Sequence, residues 1–304
     1  MSFADIIRRG ERLPLTYTLV PPPQAAARTE LDAVALALQR LLETAPIDAV
    51  HVAEVRPDPR SPRSTFVPKL APRAFARAMA QRLTDPPEWL LDRGIVDHSW
   101  AHQQRWLERT IQDQDFSALM LIGGASHEIR YPGISVTDAT QRIRAIYGEH
   151  VCLGGIAIPT RAGELERLMA KTEAGLDLFV TQILGEVDST CQLLVDYHRA
   201  CAERGVQPRP MVLSLAPVGH RSDIEFLEAW GVRFHPGWRR QLLISSLGVG
   251  WRSVDMAVDL LDRITSFAKR EAPSVPLGVN VEHVRPRNVE LSAELLQTVA
   301  SNFT

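Results

Sequence analysis

The feature that most constrains this 304-residue chain is a rhythm. Short apolar runs alternate with longer amphipathic ones eight times, which is the pattern of βα units around a parallel sheet. The predicted strands are LTYTLV (15–20), DAVHVAEV (48–55), a weak one at LLDRGIVD (90–97), ALMLIG (118–123), HVCLGGIAI (150–158), LDLFVTQ (176–182), RPMVLSLA (209–216) and PLGVNVEH (276–283). Helical periodicity falls at 28–45, 71–83, 101–113, 135–147, 163–174, 188–204, 222–229 with an addition at 236–270, and 288–302. Eight strands each followed by a helix close most economically into a (β/α)8 TIM barrel, here one domain over 1–304. An open doubly wound sheet has the same periodicity and is the rival. There is no linker, low-complexity tract or repeat beyond the βα rhythm.

Charge and cysteine usage narrow the class. Lys plus Arg (34) nearly balance Asp plus Glu (36), which argues against a nucleic-acid partner. Cys152, Cys191 and Cys201 form neither a CxxC pair nor an even framework, so a reducing compartment is expected and a structural metal site is not. The start MSFADIIRRGERLP lacks the apolar core of a signal peptide, and no apolar window is long enough to span a membrane. These points predict a soluble, cytoplasmic protein and leave a homo-oligomer open. The GxGxxG, GxxxxGK[ST], GxSxG and HExxH patterns are all absent, so a Rossmann dehydrogenase, a P-loop enzyme and a zinc hydrolase lose weight.

Three connections are long: 56–72, with five prolines; 123–133, after the fourth strand; and 231–275, with two extra helical pieces before the eighth. The first two follow strand carboxyl ends, where barrel enzymes build their sites. Polar residues at those ends are the candidates. Glu54 is either a general acid with a pKa raised by apolar surroundings or the partner of Arg56 or another arginine. Gln182, with Glu186 four residues on, offers both a donor and an acceptor, which suits a planar heterocycle such as a pterin; the alternative is that it satisfies loop backbone. In VNVEHV, alternation puts one of Glu282 and His283 into the barrel mouth, and Glu282 is the expected one. His220 is a ligand or merely exposed. Tyr131 either stacks on a flat ring or anchors its loop.

GGIAIPTRAGELERLMAKTEAGLDLFVTQILGE resembles the central block of the methylenetetrahydrofolate reductases, with a strand ending in Pro, a helix, an alanine-glycine turn, an apolar strand and the pair Thr181-Gln182. APVGHRSDIEFLEAWGVRFHPGW and LTYTLVPPP are similar to further segments in order and spacing. The resemblance implies a (β/α)8 barrel that binds a reduced tetrahydrofolate and moves hydride from NADH or NADPH, with Gln182 and Thr181 on the substrate. It implies FAD at the mouth, with cofactor contacts expected at Tyr131, Ala157 and Lys171. A divergent branch sharing the IPTR-x-GE motif works without flavin, by direct transfer from NAD(P)H. Two departures stand out: Thr18 replaces the first-strand glutamate that donates the proton, and Gly124 replaces the fourth-strand aspartate beside the pterin. Thr18 and Gly124 are therefore expected to line the substrate. Glu54 and Glu282 are expected to supply the acid, and Glu128 or His127 to fill the place of the aspartate.

Overall fold

Eight parallel strands pair in chain order and close on themselves, β8 against β1, in a computed structural model that describes residues 2–10, 12–57, 66–125, 128–244 and 248–303. They are β1 Leu15–Leu19, β2 Ala49–Val52, β3 Trp89–Gly94, β4 Ala118–Ile122, β5 Cys152–Ala157, β6 Leu178–Thr181, β7 Met211–Leu215 and β8 Leu277–Glu282. Helices alternate with them: α2 Arg28–Thr44, α3 Pro72–Ala80, α4 Trp100–Ile111, α5 Val136–Tyr147, α6 Glu164–Ala174, α7 Asp188–Arg204, α8 Arg221–Ala229 and α11 Val289–Phe303. The fold is a (β/α)8 TIM barrel. The expected insertion is present as α9 Pro236–Leu243 and α10 Val249–Glu271. The weak third strand starts one residue earlier than expected and ends at Gly94, because Ile95–Asp97 turns as a 3-10 helix. The centre of the 56–72 loop, and His127, lie outside the described residues.

Alternation along the strands divides the core in two. Leu15, Tyr17 and Leu19 of β1, Val50 and Val52 of β2, and Phe179 of β6 pack outward against the helices. Ala49, Leu90, Ala118, Met120, Cys152, Leu178, Val180 and Val212 meet inside the barrel. A helix not expected from the sequence, α1 Phe3–Arg9, closes the amino-terminal end. A Ser2–Asp5 capping box starts α1 and Gly10, at φ 60°, ends it, while Phe3 and Ile7 join the inner cluster. Each of these two side chains contributes about 1.5–3 kcal/mol by its burial. No helix among the described residues is long and apolar enough to cross a membrane.

A third apolar cluster joins Ile224 and Leu227 of α8, Leu242 of α9 and Val249 of α10 to Ile183, just past β6, and Val284, just past β8. The insertion therefore covers the carboxyl ends of these strands. His235 N–H donates to the Gly185 carbonyl (3.0 Å), which ties α9 to the β6 loop.

Candidate functional site at the carboxyl end of the barrel

The interior is apolar on one side and polar on the other. Ile122, Ile156 and Val180 of β4, β5 and β6 form the apolar wall. Across from it, five consecutive strands, β7, β8, β1, β2 and β3, contribute Ser214, Asn280, Glu282, Thr16, Thr18, His51 and Asp92, joined by side-chain hydrogen bonds. Asn280 Nδ2 donates to Ser214 Oγ (3.0 Å) and to Glu282 Oε1 (3.2 Å). Asn280 Oδ1 accepts from Thr16 Oγ1 (2.9 Å) and Thr18 Oγ1 (3.0 Å). Thr18 Oγ1 also lies 3.2 Å from His51 Nδ1, and His51 Nε2 lies 2.6 Å from Asp92 Oδ1. Asp92 Oδ2 accepts the Glu54 N–H (3.1 Å). All but Glu282 are nearly sealed from solvent; Glu282 is partly exposed at the mouth.

The titrations follow from these neighbours. Burial pushes the Glu282 carboxyl up, against the pull of His51 and the Ser214 and Asn280 hydrogen bonds. Burial opposes charge on His51, but Asp92, helped by Glu282, outweighs it and the net direction is up. Glu54 is also raised by burial, against the Gly94 N–H and Arg93.

The two expected acids differ in their freedom. Glu54 Oε2 accepts the Gly94 N–H and its Oε1 lies 3.5 Å from Arg93 Nη1. Its ion-pair partner is Arg93, not Arg56, which is held by Asp97 (2.8 Å) and the Gly123 carbonyl (3.0 Å). Arg93 is fixed in turn by Gln103 (2.7 Å) and the Trp106 ring. Glu54 thus locks the exit of β3. Glu282 faces inward, as expected. His283 faces outward, stacks on Tyr17 and is pushed down by burial. In the β1–β8 register, Thr18 and Glu282 are paired residues, and His51 is the partner of Thr18 across β1–β2.

Gln182 sits just past β6 with the parity of Leu178 and Val180. Its Nε2 donates to the Trp230 carbonyl (2.9 Å), the loop-backbone role weighed for it. With Pro159, Thr160, Glu186 and Arg233 it lines a recess of about 10 Å³, room for a single water, so a heterocycle has to reach the amide from the open mouth. Thr181 departs from expectation: it shares the outward parity of Phe179, is 2% exposed, and accepts the Ser214 N–H (2.8 Å). Thr18 does line the interior, but its hydroxyl is taken by Asn280 and His51.

The expected cofactor positions do not meet at the mouth. Ala157 is buried among the helices. Lys171 Nζ donates to the Ile156 carbonyl (2.6 Å) behind the wall, and burial pushes its pKa down to about 8. The Tyr131 ring occupies the space beside Gly124, where an added Cβ would lie 2.4 Å from Cε2, and its Oη accepts the Ala125 N–H (2.8 Å). The Tyr131 ring therefore fills the space beside Gly124. These three residues do not fit a flavin. The IPTRAGE stretch is self-closing, since Glu164 accepts the Ile158 N–H (2.9 Å) and pairs with Arg161 (2.6 Å). His220 caps α8 by accepting the Ser222 N–H, and Glu186 accepts the Ser189 N–H at the start of α7.

His51, Asp92, Asn280, Ser214 and Thr16 are the site residues that reading the sequence missed. Each is a polar residue inside an apolar strand and at inward parity, a signal that was available. A larger cavity of about 290 Å³ lies at the other end of the barrel, beside α1, but there Arg8 is already engaged by Asp177 and the Glu149 carbonyl.

No family model and no curated protein matches the sequence. Among solved structures, a protein of Clostridium thermocellum that binds two copies of 5-methyl-5,6,7,8-tetrahydrofolic acid superposes with a TM-score of 0.80 at 20% identity, over 98% of each chain. EDTA monooxygenase from Chelativorans sp. BNC1 superposes at 0.51 with 10% identity, over 96% of this chain and 94% of that one. At these identities the likeness is one of fold.

Proposed function

We propose that this chain binds a reduced tetrahydrofolate at the carboxyl-end mouth of its barrel and catalyses hydride transfer between NAD(P)H and the methylene- and methyl-tetrahydrofolate pair. The observation that carries this reading is the register pairing of Thr18 with Glu282. Where the resemblance leads one to expect a first-strand glutamate, the carboxyl is present one strand away, inward-facing and partly exposed. Burial raises the Glu282 pKa, the direction a general acid needs. Glu54, with both oxygens engaged, is left a structural role. In this reading a flat ring lies between Ile122 and Ile156 on one side and the polar strands on the other, with Gln182 at its edge. The full-length superposition on a methyltetrahydrofolate-binding barrel supports the ligand class. No step is assigned to a flavin.

Tryptophan-fluorescence titration with 5-methyltetrahydrofolate, and NADH or NADPH oxidation with methylenetetrahydrofolate, test the reading. Glu282→Gln is expected to lower turnover by about 10² to 10⁴, the range for a lost general acid, while binding survives. Failure to bind either folate would overturn the proposal. A second reading is an accessory folate-binding barrel without chemistry, favoured by Thr18, whose hydroxyl is fully engaged. Tight folate binding with no turnover, unaltered by Glu282→Gln, selects it.

A further inference from the structure

The hydrogen bonds inside the barrel fix where protons lie. Asn280 presents one end of its amide to a carboxyl oxygen of Glu282 and the other to two threonine hydroxyls. The end facing Glu282 Oε1 is the NH2, which leaves that oxygen as the acceptor. Oδ1 then receives the single hydroxyl protons of Thr16 and Thr18. Having given its proton to Asn280, Thr18 offers His51 Nδ1 only a lone pair at 3.2 Å, so Nδ1 carries a hydrogen. On the other side, Asp92 accepts at both oxygens, from Glu54 N–H and from His51, so Nε2 carries a hydrogen as well. This assignment makes both ring nitrogens donors and the ring an imidazolium.

We propose that His51, held charged by Asp92, is a positioning residue for Glu282, orienting and electrostatically supporting that carboxyl through the Thr18 and Asn280 side chains. The role of Glu282 as the ligand-facing group rests on the function proposed above; the state of His51 does not. When Glu282 gives its proton to a ligand nitrogen, its O–H bond breaks, an N–H bond forms, and the carboxylate left behind meets the Asn280 N–H already aimed at it. The charge of His51 lies on the same layer, two strands away through Thr18. The charged groups facing the pair are Asp92 on β3 and Glu282 on β8, with Glu54 and Arg93 beyond Asp92; each is held by the contacts given above.

The test uses the free, full-length protein. With ¹⁵N-histidine labelling, the His51 signals are those lost in His51→Gln. Both ring nitrogens are expected to be protonated at about pH 7.5, a unit above the ordinary histidine value. A neutral tautomer there overturns the inference. With ¹³C-carboxyl glutamate labelling, His51→Gln is expected to raise the Glu282 titration by about 1 pH unit, the low end for loss of a nearby opposite charge, and Thr18→Val to raise it by less, since it breaks the hydroxyl link and leaves the charge. A merely structural histidine would lower the melting temperature and leave that titration in place, which also overturns the inference. Thr18→Val identifies the His51 signals as those it moves, should His51→Gln not fold. Folate binding alongside a neutral His51 removes this inference and keeps the proposed function; an imidazolium in a protein that binds no folate does the reverse.

Discussion

Replacing Asp92 by Asn probes the polar interior where it is most loaded. Asp92 accepts from two N–H groups at once, His51 Nε2 at 2.6 Å and the Glu54 backbone at 3.1 Å, and both members of the ion pair are buried. An amide supplies one acceptor and turns two donors toward the remaining N–H, so one donor faces another. Removing one partner of a buried pair costs about 3 to 5 kcal/mol. At about 2 °C per kcal/mol for a chain of this size, Asp92→Asn is expected to melt roughly 6 to 10 °C lower near pH 6. The pH dependence gives the sharper result. His51 has a folded pKa above its ordinary 6.5. The stabilisation from its charge is therefore complete below 6.5 and is lost as pH rises through the raised value. The gap between wild type and variant should narrow on going from about pH 6 to pH 9. Differential scanning calorimetry at the two pH values reads it directly. A gap under about 2 °C near pH 6, or one that stays constant with pH, would refute the argument that a charged His51 is what Asp92 holds in place.

Other perturbations test neighbouring parts of the same picture. Gly124→Ala would push a methyl into the Tyr131 ring; a loss of about 1 to 3 kcal/mol in urea denaturation is expected, largely relieved by adding Tyr131→Ala. Lys171, pushed down from 10.5 to about 8, makes the wild type gain stability as pH climbs from the lower value to the higher. Lys171→Met should abolish that alkaline gain in melting temperature. Glu282 has a raised folded pKa, so its ionisation costs stability as pH rises from 4.5 through the folded value. Glu282→Gln should therefore melt no lower than wild type at about pH 8 while turnover falls, the sign expected of a group kept for function.

The eight βα units were legible because each strand's apolar run and each helix's periodicity are local properties, whereas closure, the pairing of β8 with β1, is not. What was not legible is register. His51 and Asp92 sit 41 positions apart, each inside a short apolar run, and Asp92 lay in the least convincing strand, where the buried Ile95 and Val96 extended the apolar run past its real end. Parity marks both as inward-facing, yet only the stagger between β2 and β3 brings their side chains to 2.6 Å. Gln182 shows the same limit from the other direction. Its position at the end of β6 is local, whereas the Trp230 carbonyl that takes its amide proton arrives at the end of α8, 48 residues later.

Register also changes the meaning of the apparent departure at Thr18. Compared position by position along the chain, the first strand lacks the expected acid, the feature that favours a barrel that binds without reacting. In the closed sheet, Thr18 has Glu282 on one side and His51 on the other. A carboxyl on β8 reaches the same layer of the mouth from the neighbouring strand, and the threonine becomes the hydroxyl that links it, through Asn280, to the buried His51. A barrel mouth is a ring of eight strand ends, so a functional group can change strands at small cost in position provided that its new neighbours hold it. Here they do, since Asn280 lies two residues before Glu282 on the inward face of β8 and donates to it. In the proposed reading, Thr18 at the position of the expected acid and the Asn280–Thr18–His51 connection are two aspects of one arrangement, and Glu282 is the residue on which binding and chemistry can be separated.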